Sequence, residues 1–432
     1  MHKFNKTLLA LAVTCGSFQA GAAGFQLNSQ SANGVGRANA GDAVIADNAA
    51  VLARNPSAMA LFDKSALSVG LTVADIKIDV KDVNFAGGAV DLGGIDDAGS
   101  VKLIPNFYYI QPLNDKWAVG VAAFSNYGTG TDTASLVENR AVAPFDLIGE
   151  TEVTTINFNV SLSYRINQHW SVGLGFDTIY GKGKLTRYAG DTPLLDVDAD
   201  GVGYGGIVGV TYELNQDNRF GLSFRKSPTV TVKGDINVLS SREITGLSTQ
   251  QVGIDFDRLD VPLADITQFA GFHQLTPTFA IHYTAQYTAW GSFDQITAKD
   301  GSATIASGDF AGTPVGSGIE SPLKQYHWRD TWLGSVGGTY NLSPKVTLRA
   351  GYMYDRGVVD KLSSLSIPDS NRQWFTVGAG YKWSKNTSLD LGIAYVRGEE
   401  VELIENSSLV GPVNAKTESS AMYYALQYSY SF

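Results

Sequence analysis

Between Thr155 and Ile166, six apolar side chains fall on every second position without an error: Ile156, Phe158, Val160, Leu162, Tyr164 and Ile166. Asn157, Asn159, Ser161, Ser163 and Arg165 occupy the positions between them. Successive side chains of a strand point to opposite faces, so this stretch reads as a strand with one apolar and one polar side. The same alternation follows the turn Asn167-Gln168-His169, in Trp170, Val172, Leu174, Phe176 and Tyr180. It recurs at Val208 to Leu214, Phe220 to Phe224, Phe279 to Tyr283, Val346 to Tyr354, Phe375 to Trp383 and Leu389 to Tyr395. Gly253 to Phe272 alternates poorly and is the weakest strand of the set. Apolar runs long enough for a membrane helix are absent after the N-terminus, which leaves a β-protein, either soluble or membrane-spanning.

The connections decide between those two. Short polar turns stand at Asn114 to Lys116, Asn167 to His169, Asn215 to Asn218, His273 to Thr276, Asn341 to Lys345 and Ser384 to Thr387. Trp117, Tyr164, Trp170, Tyr212, Phe220, Tyr340, Tyr381 and Trp383 crowd these turns, the pattern of an interfacial aromatic girdle. The other connections read as long polar loops: Lys81 to Ser100, Asn126 to Glu152, Lys184 to Val202, Lys233 to Val252, Ala298 to Gln325, Lys361 to Asn371 and Leu403 to Thr417. Six turns and seven loops imply a 14-stranded antiparallel barrel, all-β and transmembrane, with the even strand count of bacterial barrels. The last residues, Leu426, Tyr428, Tyr430 and Phe432, alternate with Gln427, Ser429 and Ser431. An aromatic-alternating strand with a terminal Phe resembles the assembly signal of outer-membrane barrels, so Phe432 is expected to engage the barrel assembly machinery.

Residues 1–22 read as a secretory signal, with Lys3 and Lys6, the apolar Leu8 to Val13, and Ala20-Gly21-Ala22 at the cleavage site. Cys15, the only cysteine, leaves with this signal. It follows Thr14, larger than the residue that lipoprotein processing prefers. Residues 23–62 show no alternation, and Asp47 to Phe62 read as one or two short helices interrupted by Pro56. So small a segment buries no core of its own and needs a host. Barrels of about eight strands are filled by side chains and those of about sixteen to eighteen hold open channels, so fourteen strands leave a lumen to be blocked. Residues 23–62 are therefore expected as a helical hatch inside a barrel formed by residues 63–432.

The same stretch carries a resemblance. Gly24-Phe25-Gln26-Leu27-Asn28, Gly34-Val35-Gly36-Arg37-Ala38, Ala46-Asp47 and Arg54-Asn55-Pro56 are similar to the hatch of the FadL family of outer-membrane long-chain fatty acid transporters. Val119 to Gly128, Arg187-Tyr188-Ala189-Gly190-Asp191, Ser366-Ile367-Pro368-Asp369, Arg372 and Trp374 extend the similarity along the chain. Ser57 departs from it, standing where the family has Ala. The resemblance implies a fourteen-stranded barrel, an N-terminal hatch and uptake of hydrophobic substrates. It also implies ligand contacts at Phe25, Leu185 and Arg187, a hatch turn at Asn55 and Pro56, and a wall gap opened by a kink at Gly128.

Parity supports part of this. With Trp170 to Phe176 facing lipid on even positions, Gly183, Leu185 and Arg187 face the lumen. An inward leucine beside an inward arginine suits an acyl tail with a carboxylate head. The competing readings for Arg187 are a pair with Asp191 or a grip on lipopolysaccharide phosphate. Gly128 equally reads as the start of a loop, and Ser366 to Trp374 as a loop brace with Asp369 and Arg372 paired. Gly34-Val35-Gly36 lacks the preceding strand and the third glycine of a nucleotide loop. The five histidines show no ligand spacing, and no catalytic grouping stands out, so neither metal, cofactor nor enzyme activity is expected. A net charge of −10 without a basic patch argues against nucleic acid. The expected partners are a long-chain fatty acid or similar hydrophobe, outer-membrane lipid and lipopolysaccharide. Import of other hydrophobes such as aromatic hydrocarbons, and a non-transporting surface barrel or adhesin, are the alternatives.

Overall fold

The computed structural model describes residues 24–244, 249–359 and 364–432, so the expected signal, residues 1–22, lies outside the described residues. Among the described residues, twenty-two strand segments form one antiparallel sheet and join end to end into 14 staves. In chain order the first three are Ala66–Phe85, then Val90–Ile95 with Val101–Pro112, then Trp117–Phe124 with Gly128–Asp132. The fourth to seventh are Glu150–Arg165, Trp170–Ala189, Thr192–Asn215, and Asn218–Lys226 with Thr229–Arg242. The eighth is broken into Gln250–Asp255, Arg258–Pro262 and Asp265–Thr276, where the alternation is poorest. Phe279–Ala289 with Gln295–Ile305, and Pro314–Gln325 with Thr331–Asn341, make the ninth and tenth. Val346–Asp355, Arg372–Lys382, Thr387–Gly398 with Val401–Ser407, and Gly411–Ser431 complete the ring. The last stave pairs with the first from Ala66↔Ser431 to Phe85↔Val413, which closes the barrel and leaves no edge.

The two faces follow the alternation. In the fourth stave Phe158 and Val160 are exposed on the outside, while Asn157, Asn159, Ser161 and Ser163 are buried inside. The wet side of each strand thus faces the lumen. The girdle is continuous near the short turns: Trp117 lies 4.5 Å from Tyr164, Trp170 4.5 Å from Tyr212, and Phe220 6.4 Å from Phe269. Phe432 joins it, 4.9 Å from Tyr430, and its amide donates to Ser65 at 3.0 Å.

The expected long loops are mostly strand. Lys184 to Val202 is two paired staves joined at Gly190-Asp191, and Leu403 to Thr417 is a hairpin turning at residues 408–410. Beyond the membrane the outer face no longer needs to be apolar, so Lys182, Lys184 and Asp198 there hide the strand period from a hydropathy reading. Among the described residues, only 133–149 and the connection before Arg372 remain long and irregular.

Residues 24–62 lie inside the ring with short helical turns at Ala32–Gly36, Val51–Arg54 and Pro56–Leu61, and all but a few side chains are buried. The rest of this segment is irregular, less helical than expected. Its backbone lies directly on the backbone of the wall. A Cβ at Gly392 would come within 2.3 Å of Ala32 O, at Gly351 within 2.4 Å of Arg37 O, and at Gly173 within 2.3 Å of Ser57 N. Part of the buried charge is paired. Arg37 binds Asp42 at 2.7 Å and Asp47 at 2.8 Å, and Arg349 binds Asp390 at 2.9 Å.

Candidate functional site

The fifth stave carries the site on its odd positions. Ser171, Asp177, Ile179, Leu185 and Arg187 are buried, whereas Trp170, Leu174 and Phe176 are exposed. This inward row turns from polar to apolar between Asp177 and Ile179. Asp177 pairs with Arg225 of the seventh stave and accepts from Asn157 and Asn159 at 3.0 and 2.7 Å. Arg225 also donates to Ala53 O at 2.7 Å, tying the helix Val51–Arg54 to the wall. Above this polar floor, Leu185, Val197, Val232, Phe293, Tyr326 and Ile367 line a cavity of about 50 Å³ with apolar walls.

Arg187 stands just behind the cavity rim, bonded to its lining residue Thr151. Its Nη1 donates to Glu150 O at 2.8 Å and Thr186 O at 2.7 Å. Its Nη2 donates to Thr151 Oγ1 at 2.9 Å and Ser366 Oγ at 2.6 Å. All four Nη hydrogens are therefore engaged. Among the described residues Arg187 forms no ion pair, and Asp191 is not its partner. Burial without a carboxylate lowers its pKa from the ordinary guanidinium value.

Phe25 is fully buried in an aromatic box. Its ring centre lies 4.7 Å from that of Trp290, 5.1 Å from Phe293, 5.7 Å from Trp328 and 6.0 Å from Tyr127. Because Phe293 also lines the cavity, Phe25 stands one ring away from it. The preceding amide, Gly24 N, donates to Asp369 Oδ1 at 3.2 Å. Asp369 also accepts from Val358 N and Arg372 Nη2, both at 2.6 Å, so the expected brace forms. Burial raises the pKa of the Asp369 carboxyl, and Arg372 acts against that rise. The brace does more than stiffen a loop. Ser366 reaches Arg187 and Ile367 lines the cavity, so one short segment touches both Arg187 and Gly24.

Beside the box the wall is interrupted. The second and third staves pair from Pro112↔Ala118 to Phe107↔Ala123, and the ladder then stops. Contact returns where Asp132 N donates to Ala98 O at 2.9 Å. Between these points residues 125–127 leave the strand and turn inward. There Gln26 bridges Tyr127, Leu27 N donates to Asn126 O at 2.7 Å, and Gly128 N donates to Phe25 O at 2.6 Å. Tyr127 is fully buried, with its hydroxyl bonded to Ala264 O and Ser227. Gly128 itself has no left-handed φ. Lys102, on the edge of the opening, pairs with Glu152 at 3.4 Å.

Asn55 and Pro56 lie elsewhere, at the lower turn of the inner segment. Asn55 Nδ2 donates to Ala43 O at 3.0 Å and Val210 O at 3.3 Å, and Pro56 opens the 3₁₀ turn. The structure thus brings Phe25, Leu185 and Arg187 to one chamber and Gly128 to its side, with Asn55 and Pro56 in the plug below. Sequence reasoning missed Tyr326, Phe293, Trp290 and Ser366 as neighbours of that chamber. The run Tyr326-His327-Trp328 near Trp290 and Phe293 was its one local trace.

A family model described as "Outer membrane protein transport protein (OMPP1/FadL/TodX)" matches residues 13–432. The chain belongs to this family. The long-chain fatty acid transport protein of Escherichia coli O6:H1 is 31% identical to it, with 99% of each chain covered. Outer membrane protein P1 of Haemophilus influenzae is also 31% identical, over 100% of both chains. The crystal structure of a Pseudomonas aeruginosa FadL homologue superimposes with a TM-score of 0.75 at 21% identity, covering 95% of this chain and 100% of that one. The Pseudomonas putida toluene transporter TodX superimposes with a TM-score of 0.68 at 17% identity, covering 94% of this chain and 99% of that one. Both structural likenesses are likenesses of fold. As a FadL-family member the protein is an outer-membrane β-barrel transport protein.

Proposed function

We propose that this FadL-family barrel imports long-chain fatty acids. The observation that carries the reading is the apolar cavity at Leu185 with Arg187 just behind its rim and Phe25 one ring away. A methylene chain gains about 0.8 kcal/mol per buried CH₂, so an apolar wall selects a long tail. Arg187 favours a carboxylate at the outer end. Residues 24–62 act as the hatch, with Asn55 and Pro56 as its fixed turn and Phe25 as its mobile tip. Exit runs sideways through the interruption beside Gly128 into the membrane, driven by the tail's preference for lipid. Lipopolysaccharide surrounds the outer rim, and the barrel assembly machinery reads Phe432.

Uptake of labelled oleate by cells that lack their own importer tests this. Expression of the protein should restore uptake, and Leu185→Asp should abolish it, because an unpaired charge in the apolar wall opposes the tail. Undiminished uptake by a folded Leu185→Asp barrel would remove the cavity from the route. Uptake of toluene but not oleate would favour the aromatic-hydrocarbon alternative, to which the aromatic box around Phe25 lends some support.

A further inference from the structure

Arg187 has no Nη hydrogen left for a ligand: Glu150 O, Thr186 O, Thr151 Oγ1 and Ser366 Oγ take all four. A carboxylate arriving at the rim would feel its charge, but would have to displace Thr151 or Ser366 to be bonded by either Nη. The cavity wall offers another donor. Among the described residues that line it, Tyr326 Oη is the one buried side-chain polar atom without a hydrogen-bond partner. Tyr326 is 1% exposed, and its ring is fixed by Phe293 at 4.9 Å and Trp328 at 5.3 Å. Of the lining threonines, Thr155 donates to Tyr127 O and Thr151 accepts from Arg187. Lys182 and Lys184 are held by Asp198 and Glu150. A buried hydroxyl with no partner costs about 1–3 kcal/mol, so its retention in an apolar wall points to a bond made when substrate is present.

We propose that Tyr326 is a specificity-determining residue that donates its hydroxyl to the substrate carboxylate, while Arg187 supplies the neutralising charge. This rests on the reading of the chamber as a fatty acid site. Tail recognition is then common to any long hydrophobe, and the acid is distinguished from the hydrocarbon by one phenol. A site built to hydrogen-bond a ligand oxygen disfavours the analogue that lacks it, because the donor is left unpaired.

The test is binding of labelled oleate and of labelled 1-octadecene to purified folded barrel. It uses the wild type, Tyr326→Phe, which removes only the hydroxyl, and Arg187→Ala. Tyr326→Phe should weaken oleate by roughly ten- to a hundredfold, as expected for losing one hydrogen bond to a charged group, and leave 1-octadecene unchanged. Equal weakening of both ligands would show that the hydroxyl acts through the shape of the wall, and would overturn the proposal. Oleate weakened by Arg187→Ala but not by Tyr326→Phe would overturn it while leaving the fatty acid reading intact. Oleate binding indifferent to both variants would overturn both, since the carboxylate would then lie outside this chamber.

Discussion

Two glycines on the barrel wall decide whether the inner segment can dock. A Cβ at Gly209 would fall 1.9 Å from Asn55 Oδ1, and one at Gly173 would meet the Pro56–Ser57 peptide. Neither is needed for a turn; each leaves space for another backbone. Gly209→Val should therefore push out the Asn55-Pro56-Ser57 turn, at a cost of about 1–3 kcal/mol for overpacking. In planar bilayers this variant should show frequent channel openings, and traces as quiet as wild type would refute the docking argument. Arg187 poses a different question, since it binds the fourth stave and the 364–371 segment before any ligand arrives. Arg187→Ala should lower oleate affinity by about 2–4 kcal/mol, the Coulomb scale for two unit charges roughly 4–8 Å apart at an effective dielectric of about 20. It should also free Ser366. Oleate affinity unchanged in a folded Arg187→Ala barrel would exclude it as headgroup partner.

The third stave shows how an element departs from its own pattern. Val119, Val121 and Ala123 alternate, and then Ser125-Asn126-Tyr127 turns inward, held by Phe25, Leu27 and the far wall through the Tyr127 hydroxyl. Because Gly128 keeps an ordinary φ, an alanine there suits the backbone, and the anchor is Tyr127. Tyr127→Phe should slow oleate uptake while affinity for the chamber stays near wild type; Gly128→Ala should behave as wild type in both. Slow uptake in Gly128→Ala with normal uptake in Tyr127→Phe would return the kink to the glycine. The 364–371 segment offers a second test, since Asp369 holds Gly24. Asp369→Asn presents one acceptor and one donor where two backbone N–H groups need acceptors. Hydrogen exchange should then quicken at Gly24 to Leu27 and leave Ala32 to Arg54 protected. Uniform exchange along the segment would show that tip and base move as one.

At the scale of the whole molecule, closure and plugging are separate matters. Closure is a ladder of local pairs from Ala66↔Ser431 upward, capped by Phe432 N on Ser65 O. The Phe432 side chain is exposed, so its removal takes nothing from the interior. Deleting Phe432 should reduce the amount of heat-modifiable folded barrel in the outer membrane while purified chain still refolds in detergent. Equal amounts in the membrane would show that the terminal aromatic is not what assembly recognises. Plugging rests on ion pairs and on backbone contact between the inner segment and the walls, so the barrel surrounds its plug without depending on it for closure.

Strand number, closure, girdle and the inward parity of Leu185 and Arg187 were legible in the chain, because side-chain direction alternates with a period of two and carries along a strand from any fixed point. The outer halves of the staves were not legible. Once a face leaves the membrane it carries Lys184 or Asp198 as readily as Leu174, and the hydropathy period fades although the ladder continues. The content of the chamber was still further from reach. Phe25 meets Trp290, Phe293 and Trp328 across the lumen, Arg187 meets Ser366, and the Tyr326 hydroxyl finds no partner among the described residues. Which staves face one another across a closed barrel depends on stagger around the whole ring, a sum over every register, and no local pattern contains that sum.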